Sequence, residues 1–368
     1  MPNTLHHQLL HLLRCALWQQ RPDKRLFGND TDWEALMALA RQHTVQAMVA
    51  QQMKRVADAL GNETVMKRCT RQILAATRRN RHINQLTAKL DSILRQEGYQ
   101  PVLLKGQGVA RYYPEPLLRM SGDIDLYLGP HTDKAVDTLC RQLHIETHHG
   151  RNDRKHVNMT CQDVEMEVHR KETEVNTMAR AQEIQDWTEE QLHTDTRQAR
   201  IDGCPLTVPS PLFDAIYVFH HLYRHLLTDG VGLRHVCDWM RCLYANRDDI
   251  DTRQLLQLLQ RFGLLHAWQL FGLMTVRHLG MTQEAMPLYR ERYAHRADRL
   301  IEVLLDNSNF GQERLRQERT QKPAHRWAAK LYSIHCYNKA HWPLVTLFPR
   351  QAIPLMLRRY HKAPRTNN

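Results

Sequence analysis

The sequence predicts an α+β protein: a small mixed β-sheet embedded in a mostly helical chain. Two observations predict it. Apolar residues recur with helical spacing along both ends of the chain, and a single island of period-two alternation, from about residue 99 to residue 170, interrupts them. Strand-like and helix-like segments alternate within that island, as they do in a compact α/β unit.

The elements follow in order. Leu5, Leu9, Leu10, Leu12, Leu13 and Leu17 form one apolar stripe. A second helix is expected from about Asp32 to Ala57, with Asp32 or Thr31 as its N-cap. A long helix follows over roughly Glu63–Glu97, carrying Ile73, Leu74, Ile83, Leu86, Leu90 and Ile93 and ended by Gly98. Pro101-Val-Leu-Leu-Lys105 then reads as a short buried strand, Val109–Tyr113 as a short helix, and Pro114 and Pro116 force a loop. Asp123–Leu128 alternates as a half-buried strand does. Residues 132–143 are helical, and Lys155–Cys161 and Val164–His169 are strand-like. Beyond residue 175 the helical period returns. A hairpin at 199–208, turned by Asp202-Gly203, interrupts it before helical stretches over 211–280 and 283–306. The expected organisation is a helical region over 1–95, an α/β core over 96–175 and a helical domain over 176–342, with the hairpin inside it. A basic, Pro-punctuated tail occupies 343–368, with Arg358, Arg359, Lys362 and Arg365.

Composition narrows the function. A chain of 368 residues with 42% hydrophobic content buries a sizeable core. Lys and Arg number 51 against 39 acids, a formal charge of +12. This favours anionic partners: nucleotides, nucleic acid, phosphorylated metabolites or acidic lipid. Because the basic residues are dispersed, a solubility charge over helix faces is equally open, and nucleic acid is an allowed partner that nothing requires. The eight cysteines, at 15, 69, 140, 161, 204, 237, 242 and 336, form no C-x-x-C pair, and no basic stretch followed by an apolar run opens the chain. Reduced thiols in the cytoplasm are expected. No apolar run approaches the ~18 residues that would span a bilayer.

The chemistry concentrates in residues 103–128. Period two places Asp123 and Asp125 on one strand face and turns Ile124 and Leu126 to the other. Two carboxylates that close repel each other and favour a cation. Mg²⁺, with Mn²⁺ as the alternative ion, prefers such oxygens together with phosphate and water. Gly122 leaves room for a triphosphate to approach the backbone. The later strand alternates too: Val164, Met166 and Val168 on one face, Glu165, Glu167 and His169 on the other. If the strands are neighbours, either Glu165 or Glu167 supplies a third carboxylate. Three acids around two ions can stabilise both the attacking and the leaving oxygen of an in-line displacement.

Leu104, Lys105, Gly106, Tyr113, Pro116, Arg119, Gly122, Asp123, Ile124, Asp125 and Leu126, followed by Glu167 and His169, form an ordered pattern. It resembles the polymerase-β-like nucleotidyltransferase superfamily, in particular its bacterial branch of uncharacterised nucleotidyltransferases. The stretch Gly232-Leu-Arg234-His-Val-Cys-Asp238-Trp is similar to a later motif of that branch. The resemblance spans roughly residues 95–245. It implies catalytic, metal-binding Asp123, Asp125 and Glu167, with Glu167 preferred over Glu165. It implies ATP or another nucleoside triphosphate as substrate and leaves the hydroxyl acceptor unnamed. Lys105-Gly106 stands where the wider superfamily carries a glycine-rich phosphate-binding pair.

Around the acids, Lys105, Gly106, Arg119, Gly122 and Arg234 are candidate nucleotide or phosphate contacts, and His156, His169 and Asp238 candidate accessory residues. Lys105 serves either a phosphate or an ion pair with Asp125. Arg119 serves either phosphate or as a loop lock paired with one of the acids. Arg234 and Asp238, one helical turn apart, form an intrahelical pair unless Arg234 reaches the nucleotide. His221 and His225 are also one turn apart, but no Cys or acid lies at a matching ligand spacing. The competing function is a nucleotide- or partner-binding module on the same fold without turnover. A kinase-like phosphotransferase is disfavoured, because no Gly-rich loop precedes Lys105 and no H-R-D-like catalytic loop exists.

Overall fold

The computed structural model describes residues 4–28, 30–148, 155–171, 180–228, 230–306 and 342–361, with side chains to 357. Cys336, Lys362 and Arg365 lie outside the described residues, as do the side chains of Arg358 and Arg359. The chain opens with helices α1 (Thr4–Leu17), α2 (Trp33–Gln42), α3 (Gln46–Ala59) and α4 (Glu63–Gln96). The Asp32 carboxylate accepts the Ala35 amide at 2.9 Å and so caps α2. The helix expected over Asp32–Ala57 is two helices, broken where Thr44 takes a φ of +54°. Gly98, at φ +83°, ends α4 in the left-handed conformation that favours glycine.

The core follows: β1 (Val102–Leu104), α5 (Gly106–Ala110), β2 (Asp123–Tyr127), α6 (Thr132–Leu143), β3 (Thr147–His148), β4 (His156–Cys161) and β5 (Val164–His169). The expected Val109–Tyr113 helix starts earlier, at Gly106, and β3 is a strand that alternation did not reveal because it is two residues long. The five strands form one mixed sheet in the order β1-β2-β5-β4-β3. β2 and β5 run parallel, and the remaining pairs are antiparallel.

Helices α7 (Ala181–Thr194), α8 (Pro211–Thr228), α9 (Leu233–Ala245), α10 (Thr252–Arg261), α11 (Leu265–Leu279) and α12 (Ala294–Asp306) complete the body. Between α7 and α8 lies the hairpin β6 (Thr196–Ile201) and β7 (Cys204–Pro209). It is longer than expected, and Asp202 and Gly203, at φ +50° and +84°, make its two-residue turn. The stretch expected to be helical over 283–306 is helical only from Ala294. The prolines of the C-terminal segment punctuate less than expected: residues 342–347 and Pro349–His361 are helical, with Pro354 inside the second helix.

Two apolar clusters flank the sheet. Beneath one face lie Ile124, Leu126, Met166 and Val168 with Ile83, Leu86 and Leu90 of α4, Val136 and Leu139 of α6, and Leu206 and Val208 of the hairpin. On the other face Val102, Leu104 and Tyr127 join the larger cluster built by the N- and C-terminal helices. Helix α4 contributes Val65, Cys69 and Ala76 to one cluster and Ile83, Leu86, Leu90 and Leu94 to the other. At 34 residues it is about 51 Å long, enough to tie the two together. The seven described cysteines are free thiols. No helix of the described residues is long and apolar enough to cross a membrane.

Candidate active site

The register decides which side chains meet. Along the parallel pair β2–β5, Asp123 stands opposite Glu165, Asp125 opposite Glu167 and Tyr127 opposite His169. Across β4–β5, His156 stands opposite His169 and Asn158 opposite Glu167. Side chains at paired positions share a face, so Asp123, Asp125, Glu165, Glu167, His156 and His169 share one side of the sheet.

Asp125 is the anchored member of the group and only 2% exposed. Lys105 Nζ lies 2.9 Å from its Oδ1. His169 Nε2 reaches the same oxygen at 2.9 Å and lies 3.4 Å from Glu167 Oε2, so one imidazole spans both acids. Burial pushes the Asp125 carboxyl up, but Lys105 and the hydrogen bond from His169 outweigh it and hold the group well below the usual carboxylate range. Asp123 is the opposite case. Among the described residues its carboxylate makes no hydrogen bond and no ion pair. The charge of Asp125 and then burial push it above the ordinary range, while Lys105 and Arg234 pull it down. An acid left in mutual repulsion with its neighbour is a position at which a cation would relieve stress. Glu167 is half-buried. Glu165 is exposed and turns away, accepting the Thr160 hydroxyl at 2.7 Å.

The glycines take separate roles. Lys105 and Gly106 both have positive φ, +43° and +37°. A Cβ on Gly106 would sit in van der Waals contact with the Asp123 carbonyl, 3.4 Å away, and its positive φ disfavours any side chain there. Gly122 is exposed, with open space where a side chain would be.

The loop that delivers Asp123 is braced from below. Arg119 is 3% exposed and holds Asp238 in a fork: Nε to Oδ1 and Nη2 to Oδ2, both 2.7 Å. The lock expected of Arg119 therefore runs to Asp238 on α9, not to either strand acid. The Tyr113 hydroxyl donates to the same carboxylate at 2.6 Å, and Arg119 Nη1 donates to Ser121 Oγ at 2.8 Å. Burial pushes the Asp238 carboxyl up, but Arg119 more than offsets it and leaves the group below its ordinary value. Asp238 is thus committed to Arg119, and the expected Arg234–Asp238 pair is absent among the described residues. Arg234 instead donates from Nη1 to the Met120 carbonyl at 2.9 Å, and its buried Nε has no hydrogen-bond partner. Helix α9 is held close at its start: a Cβ on Gly232 would lie 3.0 Å from the His43 carbonyl.

Sequence reasoning missed part of this brace. Asn80 of α4 donates to the Leu117 and Arg119 carbonyls at 2.7 and 2.9 Å, and Gln107 links Asn80 to Ser121. A buried Asn between Ala76 and Ile83 of an apolar stripe was the available signal. It also missed the wall that α8 and α9 present. Tyr217 lies under Lys105, its ring centre 6.0 Å from Nζ, and His221, His225 and His235 cluster with ring centres 4.4 to 5.8 Å apart. Burial first, then the charge of Lys105, holds His221 well below its ordinary value. A cavity of about 500 Å³ lies elsewhere, among α2, α3 and α4, and none of these residues borders it.

A family model described as uncharacterised nucleotidyltransferase matches residues 29–280. No curated protein matches. Among solved structures, the chain is similar to the crystal structure of an antigenic nucleotidyltransferase-like protein from Paracoccidioides brasiliensis, at 14% identity and a TM-score of 0.34, over 54% of this chain and 92% of that one.

Proposed function

Because the chain belongs to the family of uncharacterised nucleotidyltransferases, we propose that it transfers a nucleoside monophosphate from a nucleoside triphosphate to a hydroxyl acceptor at the Asp123–Asp125–Glu167 face. One observation carries this reading: the β2–β5 register aligns Asp125 with Glu167 beside Asp123, a carboxylate with no hydrogen bond or ion pair among the described residues. That donor set of carboxylate oxygens fits Mg²⁺ or Mn²⁺, held by Asp123, Asp125 and Glu167. When bound, such an ion offsets triphosphate charge and lowers the pKa of an acceptor hydroxyl. The remaining roles belong to the chain. Lys105 offers a point charge to the phosphates, and Gly122 lets them approach the backbone. Arg234, with an uncommitted Nε beside the acids, supplies a second cation. His169 fixes the orientation of Asp125, and Glu167 either ligates the ion or accepts the acceptor's proton. Arg119 acts through Asp238 by holding the loop. The free thiols support a cytoplasmic setting.

A second reading, a nucleotide-binding module without turnover, is favoured by the Lys105–Asp125 pair, which already neutralises one of the acids. The test is incubation with α-labelled ATP, CTP, GTP or UTP and Mg²⁺ or Mn²⁺, following the label into an acceptor or the chain itself and pyrophosphate into solution. Asp123→Asn, Asp125→Asn and Glu167→Gln should each lower turnover by about a hundredfold or more, roughly 3 kcal/mol of lost transition-state stabilisation. Glu165→Gln should be mild. Metal-dependent binding without pyrophosphate release from any of the four would establish the binding module instead.

A further inference from the structure

Beside the two aspartates, β4 and β5 bring two imidazoles to the third acid. His156 Nε2 lies 3.9 Å from Glu167 Oε1 and His169 Nε2 lies 3.4 Å from Glu167 Oε2. One ligand atom from each of His156, Glu167 and His169 falls within 4.8 Å of the other two. The two rings stand 5.3 Å apart and tilted by 52°, so they are not stacked. Ligands held about 2.1 Å from one ion lie about 3 to 4 Å apart, close to the separations seen here.

We propose that His156, Glu167 and His169 form a mixed nitrogen–oxygen site that takes a first-row divalent transition ion, in the Mn²⁺ to Zn²⁺ series, in preference to Mg²⁺. It shares Glu167 with the oxygen-only position of Asp123, Asp125 and Glu167, and it rests on reading this sheet face as the catalytic one. The chemistry of the donors sets the preference. Mg²⁺ favours oxygen ligands and retains its waters, whereas imidazole nitrogen favours the transition ions. The structure also shows how the site can form without stranding a charge. His169 now donates to Asp125 Oδ1, and on turning its Nε2 to an ion it would give up that contact. Lys105 Nζ, 2.9 Å from the same oxygen, would keep buried Asp125 partnered. His156 and Glu167 keep 15% and 30% of their side-chain surface open, which gives an ion a route in, while His169 forms the closed floor. The two halves of the face then differ in kind, one suited to an ion that arrives with the triphosphate and one to an ion resident in the protein.

The test is a Co²⁺ titration of the metal-free full-length chain, read by visible absorption, which reports coordination number and geometry, and by paramagnetically shifted imidazole proton resonances, which report nitrogen ligation. The expected result is a nitrogen-ligated Co²⁺ species that Zn²⁺ displaces and about a hundredfold excess of Mg²⁺ does not. His156→Ala should weaken this binding by about tenfold or more, and Glu167→Gln should do the same. His156→Gln, with melting curves for every variant, separates lost ligation from lost folding. His235→Gln, which alters the separate histidine cluster, should leave the titration unchanged. The inference is overturned if Mg²⁺ displaces Co²⁺ at comparable concentration, or if folded His156→Ala and His156→Gln bind Co²⁺ as the parent chain does. Nucleotide turnover with Mg²⁺, measured separately, keeps the two readings apart. Turnover without a nitrogen-ligated Co²⁺ species refutes this site alone; the Co²⁺ species without consumption of any triphosphate supports the site and refutes the nucleotidyl transfer.

Discussion

Replacing Asp238 with Asn would strip the brace beneath the loop that carries Asp123 of its charge while keeping its shape. Asp238 accepts two hydrogen bonds from Arg119 at 2.7 Å and one from Tyr113 at 2.6 Å, and all three residues are at most 5% exposed. Asn offers one carbonyl oxygen to these three donors and turns an NH₂ donor toward another. It also leaves the Arg119 guanidinium buried without its counter-charge. Removing one partner of a buried pair costs about 3–5 kcal/mol. The upper half of that range is expected here, because Arg234 lies close enough for Arg119 to disfavour its charge and Asp238 to favour it. Urea unfolding followed by circular dichroism would read this as a fall in midpoint on the order of 1 M or more. The double change Arg119→Met/Asp238→Leu removes both charges and should recover most of the loss, since a buried pair often trades evenly with an apolar one. A cost below about 1 kcal/mol for Asp238→Asn, or a double variant less stable than the single one, would refute the assignment of the brace to this ion pair.

Two further outcomes follow from the same structure. Burial lowers the pKa of His220 to about 3 and holds His221 and His235 well below their ordinary values, so the unfolded chain takes up protons before the folded one does. Their contribution to stability is complete above the unfolded value near about 6.5 and is lost as pH falls below it, by up to about 1.4 kcal/mol per pH unit for each; a flat urea midpoint between pH 8 and 5.5 would contradict this. Gly106→Ala, at φ +37° and 3.4 Å from the Asp123 carbonyl, should cost about 1–3 kcal/mol in melting experiments, and no loss would show that the loop relaxes freely.

The strands of the core were legible because alternation is a local signal. Val164–His169 shows its two faces in six residues, and Asp123–Leu128 shows the same. The element boundaries were less legible. Positive φ at Lys105 and Gly106 starts α5 three residues earlier than the apolar pattern suggests, and the break at Thr44 carries no proline or glycine. The brace was the least legible part, since Arg119 and its partner Asp238 are 119 positions apart and only the fold joins them. Spacing paired Asp238 with Arg234, one turn away, because intrahelical neighbours are the ones a sequence displays. The histidines of α8 and α9 were visible as residues but not as a wall, for the same reason.

On the function proposed above, the face bearing Asp123 and Asp125 holds a triphosphate through a divalent ion. Calorimetric titration with a non-hydrolysable nucleoside triphosphate analogue, with and without Mg²⁺ or Mn²⁺, tests it most directly. Binding should require the ion and should weaken by about tenfold or more in the Asp123→Asn/Asp125→Asn variant, whose folding is checked by its melting curve. Equal affinity with the ion removed, or in the folded double variant, would contradict the account.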